Sequence, residues 1–422
     1  MNAARFMLAA REGAKPKRRV KPARRVKPEH RGMTLIELMV AMAIGLGVML
    51  AVTTLLIAGE NHKRVTTSTN DAEQTGAYAF HALDGLLRGA GSAIAESAYP
   101  TDRGVLGCLL NAAQFLPRTV PFPTPFFNSF LAGATNTLVV APLLIAPGQS
   151  DGGSDVLVVM GGSGAAGGVS RQVTGGGSAT SMTLDNAVGF SAGDVALVSQ
   201  SGVPECLLEE VNSVAAPTLN VGATTYYTLN GVSPTAPSTN LTTLVTSTST
   251  YVTPLGNAAA NNVQFELIGV GTDRTLYSYD LLQNLNLIQN VGGDVSQAIA
   301  DGVDSLHAIY GVDSTGAGLQ QNAWASAGVV AGDGIYSMTS VMASPNTMHN
   351  ILAVRVALVL RGQYYDKNIV TPATLTLFSG YVNAAGNSLQ QTINLTVNDQ
   401  HYRYRVFEFT VPLRNMLLLA GA

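Results

Sequence analysis

Charge, sulfur and large aromatics are all scarce in this chain. Of its 422 residues 12% are charged, 6% are aromatic, two are cysteine and one is tryptophan. Forty-four glycines and many Ser and Thr residues accompany that shortage, which suits an extracytoplasmic, strand-rich protein better than a cytosolic helical enzyme. The six histidines, from His30 to His401, show no paired ligand spacing, and with two cysteines this argues against a zinc site. No nucleophile elbow organises the scattered Ser, His and Asp, so hydrolase chemistry has no support. A basic groove interleaved with aromatics, as nucleic-acid binding requires, is also missing. No repeat of fixed period occurs, and the length allows two or three domains with a sizeable core.

What charge there is lies unevenly. Residues 1–32 hold 11 of the 24 Lys+Arg and only Glu12 and Glu29, a net of +9. Beyond them lie 13 of the 24 Lys+Arg and 25 of the 27 Asp+Glu, a net of −12. A basic head is either a nucleic-acid-binding tail or a cytoplasmic flank that stays behind while the rest crosses a membrane. The apolar run that follows at once favours the second. Cys108 and Cys206 both lie beyond that run. In an oxidising compartment they are candidates for a disulfide; otherwise they are two buried thiols. Closing a loop of that length contributes about 4 to 5 kcal/mol in the chain-entropy model.

Residues 38–58 read LMVAMAIGLGVMLAVTTLLIA, without a charge. As a helix this stretch spans about 31 Å, matching a hydrocarbon core of about 30 Å. A secretory signal would have a shorter apolar region with a small-residue cleavage site after it. A plain anchor would not carry Glu37 one residue before the run, between Ile36 and Leu38, because a carboxylate near hydrocarbon needs a partner or must snorkel to the headgroups. A cut after Gly32 would free an amino group on Met33, largely cationic near neutral pH. Glu37 of one subunit could then pair with the Met33 ammonium of a neighbour, setting register more than adding stability.

The run Arg31-Gly32-Met33-Thr34-Leu35-Ile36-Glu37-Leu38 resembles the prepilin cleavage and methylation motif: Gly before the cut, a hydrophobic residue first and Glu fifth. The resemblance implies cleavage between Gly32 and Met33 by a prepilin peptidase, N-methylation of Met33, and Glu37 as the register carboxylate. Met stands where Phe is more usual. The leader is long, so the expected start codon lies downstream.

The helix is expected to continue past Ala58. Val65, Ala72, Gly76, Ala79, Leu83, Leu86 and Ala90 make one weakly apolar face, against Glu60, Lys63, Arg64, Asp71, Glu73 and Asp84 on the other. Gly89 and Gly91 end it, giving about 55 residues in one helix. Gly45 and Gly47 would let the membrane half bend or pack closely. Short strands are expected at 137–140, 155–159, 194–198 and 263–267, and longer ones at 351–361 and 402–413. Residues 117–125, with four prolines, read as an extended loop. Residues 212–260, rich in Thr, Ser and Ala, read as loop or irregular strand around a boundary near Gly256. The expected fold is α+β: a long N-terminal helix packed on a large antiparallel β-rich region. Its divisions are a cleaved leader (1–32), a membrane helix (33–58), an amphipathic continuation (59–96) and two β-rich parts (97–256 and 257–422).

The soluble part resembles PilW-type minor pilins. The resemblance rests on Gln74-Thr75-Gly76-Ala77-Tyr78-Ala79, Gly107-Cys108, Ser154-Asp155-Val156-Leu157, Gly193-Asp194-Val195 before Cys206, Asp301-Gly302-Val303-Asp304, Val354-Arg355-Val356, Arg405-Val406-Phe407 and Val411-Pro412-Leu413-Arg414-Asn415. It implies a non-enzymatic protein of the inner membrane and the extracellular pilus, without a cofactor. Its implied partners are other minor pilins, the major pilin, the prepilin peptidase/methyltransferase, the inner-membrane assembly platform and lipid, but no nucleic acid. A J-like pseudopilin of type II secretion and a tip adhesin are the rival readings.

Two other motifs carry little. Gly162-Ser163-Gly164-Ala165-Ala166-Gly167 fits a dinucleotide loop, but a strand rather than a helix is expected after it. The loop at Asp313, with Asp304 nearby, offers too few carboxylates for calcium, which wants six to eight oxygens. Trp324, Tyr364 and Tyr365 form either an exposed patch or core.

Overall fold

The computed structural model describes residues 32–95, 105–111, 137–162, 169–203, 205–221, 241–257, 260, 262–280, 296–316 and 320–418. The basic leader, the proline-rich loop 117–125 and most of the glycine-rich loop 162–167 lie outside them. The chain divides into two units, Met1–His62 and Lys63–Ala422.

One helix, α1, runs Leu35–Gly89, 55 residues. It stops where Gly91 adopts φ +78°, a left-handed conformation that glycine takes without strain. In residues 63–89 the buried positions are Ser68, Ala72, Gly76, Ala79, Leu83 and Leu87. Their spacing of three and four keeps them on one side of the helix. Small side chains let that side approach a sheet closely. A Cβ on Gly76 would stand 2.6 Å from the Phe407 ring.

The body is antiparallel throughout its named strand pairs. A five-stranded sheet has β13 (Ser296–Asp301), β12 (Thr275–Asp280), β11 (Gln264–Val270), β4 (Val156–Gly161) and β3 (Leu143–Ala146) in that order. A four-stranded sheet orders β15 (Ala323–Ala325), β14 (Val303–Val312), β16 (Ile351–Arg361) and β19 (Tyr404–Pro412). Leu83 and Leu87 of α1 join both sheets in the main core, with Phe265, Leu267, Tyr310 and Leu358. Asp155 ties the two together: its carboxylate accepts from the Gly148 amide at 3.0 Å and the Ala308 amide at 2.9 Å.

A six-stranded sheet builds a second core around Ala196, Val198, Leu207 and Val252, while its Val195, Leu197, Leu208 and Leu255 join the main one. Its order is β5 (Arg171–Gln172), β10 (Thr250–Asn257), β7 (Asp194–Gln200), β8 (Leu207–Ala215), β9 (Thr218–Val221) and β6 (Ser181–Thr183). Part of the stretch 212–260, expected as loop or irregular strand, falls in this sheet, and residues 222–240 of it lie outside the described residues. The end of β8, all of β9, a helical turn at Leu241–Leu244 and all of β10 fall in that stretch. Thr reads as loop by polarity, but its branched Cβ suits a pleated sheet, and Thr250 and Thr253 are fully buried. Pro254 and Gly256 are accommodated by a register shift between them. A hairpin of β17 (Thr374–Leu377) and β18 (Gln391–Asn394) covers the other face of the four-stranded sheet over Ile309, Ala357 and Val359. Another small pair joins β1 (Leu109–Asn111) to β2 (Thr137–Val139).

Candidate functional site

The described part of the N-terminal unit is exposed helix and the short stretch before it. Every residue from Gly32 to Glu60 is exposed, and the large apolar side chains run from Met33 through Ile57. Two polar side chains inside the run are satisfied internally. Thr53 donates to the carbonyls of Met49 and Leu50 at 2.9 Å, and Thr54 donates to Ala51 at 2.8 Å. A hydroxyl bonded back to its own helix is compatible with lipid, where an unmet polar group is costly. A Cβ added at Gly45 or Gly47 would meet no atom within 4 Å, so both lie on open helix surface.

The start of the helix has its own chemistry. The Glu37 amide donates to the Thr34 carbonyl at 3.1 Å and lies 3.3 Å from the Thr34 hydroxyl. Thr34-Leu35-Ile36-Glu37 therefore has the order of a capping box, with Thr as cap and an acid in the first turn. A carboxylate there also opposes the positive end of the helix dipole, worth about 0.3–1 kcal/mol. Gly32 precedes the helix in open space, with no atom near its missing Cβ. Gly32, Met33 and Glu37 are thus exposed and close in sequence around one helix end.

In the larger unit the far end of α1 is held by the last strand and the turn after it. Phe409 meets Phe80 edge to face at 4.6 Å between ring centroids. Phe407, two residues earlier on the same face of β19, lies over Gly76. The Asn415 side-chain amide donates to the Ala90 carbonyl at 2.9 Å and lies 3.4 and 3.5 Å from those of Gly89 and Arg88. Helix C-termini leave carbonyls unpaired, and Asn415 meets them from 325 residues away. The Gly91 amide closes the turn onto the Met160 carbonyl at 2.7 Å.

The remaining candidates separate. Cys108 and Cys206 form a disulfide, both nearly buried. Asp304 is the second residue of β14 and Asp313 follows its last, and an extended strand places them about 30 Å apart. Asp304 pairs with Arg274 at 3.0 Å, and Asp313 accepts from the Thr315 amide and the Asn322 side chain. Among the described residues no group of three or more His, Cys, Asp and Glu is placed to hold a metal. Trp324 packs edge to face on Tyr381, whereas Tyr364 and Tyr365 are exposed. Tyr365 stacks on His401 at 4.8 Å.

Sequence reasoning missed Asn415 as a cap, because nothing local marks it. It also missed one buried acid and one half-buried acid. Burial pushes the Glu209 carboxyl up to about 8. Burial first, and then the facing Asp280, pushes Glu266 up to about 7.

Residues 269–415 match the family described as Type IV Pilus-assembly protein W, and residues 28–53 match the prokaryotic N-terminal methylation motif. No curated protein and no solved structure matches significantly. The first of the two matches spans β12 to β19 and ends at Asn415; the second covers Gly32, Met33, Glu37 and most of the exposed apolar run.

Proposed function

We propose that this chain, a PilW-domain protein that opens on a prepilin methylation motif, is a minor pilin that primes assembly of type IV pili and stays at the fibre tip. The single observation that carries the reading is the exposed apolar helix that follows Gly32-Met33 and Glu37. Its partners are then other minor pilins, the major pilin, the prepilin peptidase/methyltransferase and the inner-membrane platform.

The mechanism is physical rather than catalytic. The apolar helix stores the subunit in the inner membrane, with the body on the periplasmic side. Peptidase cuts after Gly32, and Met33 becomes a methylated ammonium. A cation at a helix N-terminus opposes the dipole by about 0.3–1 kcal/mol, which makes the neighbour's Glu37 a favoured partner. Desolvation offsets much of that attraction, so the pair fixes axial register more than it stabilises. Extraction exposes the apolar surface, and burial against other helices in the fibre compensates. A body as large as Lys63–Ala422 fits best at an end, where no layer must stack above it.

A type II secretion pseudopilin shares the N-terminal motif. The PilW match at the other end of the chain favours the pilus. Intact-mass analysis with N-terminal sequencing of protein from pili tests the processing: the expected first residue is methylated Met33, and any other start defeats the reading. Cross-linking tests the placement. Even distribution along the shaft, rather than enrichment at one end, would reject the tip.

A further inference from the structure

Successive residues of a strand face opposite sides. On β14, Tyr310 enters the main core, whereas Ile309 joins the small core beneath the β17–β18 hairpin. His307 and Ser305 follow Ile309's side, on the sheet face away from Phe407 and α1. There the hairpin, the turn Asp151–Gly153 and the turn before β12, at Thr272 and Arg274, line an open cleft of about 560 Å³. Small-molecule sites run from about 300 to 1,000 Å³.

The cleft's chemistry narrows what fits. Arg274 and Asp304 pair at 3.0 Å, and Arg361 pairs with Asp399 at 3.3 Å. Each guanidinium is thus engaged by a carboxylate, which disfavours an anion such as phosphate. No carboxylate cluster able to hold a metal occurs among the described residues, which disfavours a divalent cation. Ser305 lines the cleft, is 3% exposed, and its hydroxyl has no hydrogen-bond partner. A buried hydroxyl left unpaired in a native fold calls for a ligand or water. Asn394 adds an amide that both donates and accepts, and Tyr404 adds a ring.

Carboxylates of Asp151, Asp304 and Asp399 outnumber the one lining guanidinium, Arg274, so the cleft is rich in hydrogen-bond acceptors beside the Tyr404 ring. Vicinal hydroxyls, each a donor and an acceptor, match that pattern. We propose that this cleft binds a neutral carbohydrate, with Asp304, Asn394 and Ser305 as polar contacts and Tyr404 as the apolar wall. The site is independent of the assembly role, since it shares no residue with the helix or its cap.

The test uses the full chain in a zwitterionic detergent free of sugar headgroups. Saturation-transfer NMR is run with methyl glucoside, methyl galactoside, N-acetylglucosamine, maltose and lactose. Calorimetry with inorganic phosphate and with calcium runs in parallel. At least one sugar is expected to bind, and Asp304→Asn and Asn394→Ala are each expected to weaken it by roughly tenfold, as for one lost hydrogen-bonding partner. Asn394 is exposed, so its variant should keep the wild-type unfolding midpoint. Tyr364→Ala, elsewhere on the surface, should bind as wild type. Silence from all five sugars overturns the proposal. So does sugar binding indifferent to both cleft variants, or phosphate or calcium binding that they abolish.

Discussion

Among the described acidic residues Glu209 is the least exposed to solvent and the one whose pKa is pushed up to the highest value. It lies in β8 on the side of Leu207 and Val211, directly across from Ala196. It is 1% exposed, and neither carboxyl oxygen has a hydrogen-bond partner. Its pKa rises from 4.5 to about 8 because ionising there would bury an uncompensated charge. The folded protein therefore keeps this proton up to about pH 8, while the unfolded chain releases it near 4.5. Stability is complete below the lower value and falls as pH climbs between the two. At about 1.4 kcal/mol per pH unit the full loss is on the order of 5 kcal/mol. Glu266 has the same sign, but its loss ends near pH 7, where its own raised pKa lies. The interval from pH 7 to 8 thus reports mainly on Glu209, with roughly 1 kcal/mol at stake. Glu209→Gln keeps the shape and removes the titration. Denaturant midpoints of the full chain in micelles, followed by circular dichroism from pH 5 to 8, should converge at the acid end. Above pH 7 the wild type should fall while the variant stays level. Equal slopes for the two proteins between pH 7 and 8 would refute the assignment.

Four further outcomes are expected. Gly32→Ala should accumulate as uncut precursor on a membrane blot, whereas Glu37→Ala should be inserted and cut yet missing from sheared pili. Gly85→Ala, with open space around its new methyl, should stabilise by about 1 kcal/mol through helix propensity, but Gly76→Ala should destabilise by roughly 1 kcal/mol because overpacking against Phe407 outweighs that gain; thermal melts of the pair give the sign directly. Asn415→Ala should cost about 1 kcal/mol for the lost cap, and Asn415→Asp more, since a carboxylate would face the negative helix end; urea midpoints rank the two. Reducing the Cys108–Cys206 bond, which closes a separation of 98 residues, should lower stability by about 4 to 5 kcal/mol in the chain-entropy model, read as a lower midpoint in reductant.

Much of the helix was legible because its signals are local. The apolar run, the three- and four-residue spacing and the terminal glycines all lie within α1 or two residues past its end, and Ala72, Gly76, Ala79, Leu83 and Ala90 are buried as that spacing implies. Leu87 was read over in favour of its neighbour Leu86, which is only partly buried. Strand β16 was legible for the same reason, as eleven residues of near-continuous apolar character. Within the six-stranded sheet β7 was legible at 194–198, but β10 was not, since it declares itself only by pairing with Ser199, Val198 and Leu197 of β7. Glu209 could not be told from a surface acid, because Glu210 beside it is partly exposed.

The two family matches lie at opposite ends of the chain, and the structure gives a reason for them to travel together. Under the function proposed above, the apolar half of α1 enters a fibre, and its other half must then be held or extraction would peel it from the body. Propensity does not supply that hold, because Gly76, Gly85 and Gly89 each weaken the helix by about 1 kcal/mol relative to Ala. Packing does: Phe407 fills the notch at Gly76, Phe409 meets Phe80, and Asn415 caps the final carbonyls. All three residues lie in the last eleven positions of the PilW match, after β14 and β16 have built the sheet that presents them. Strand β19 is therefore the socket of the helix. The six-stranded sheet lies wholly outside both matches, yet Val195, Leu197, Leu208 and Leu255 carry it into the core that also holds Leu83 and Leu87 of α1.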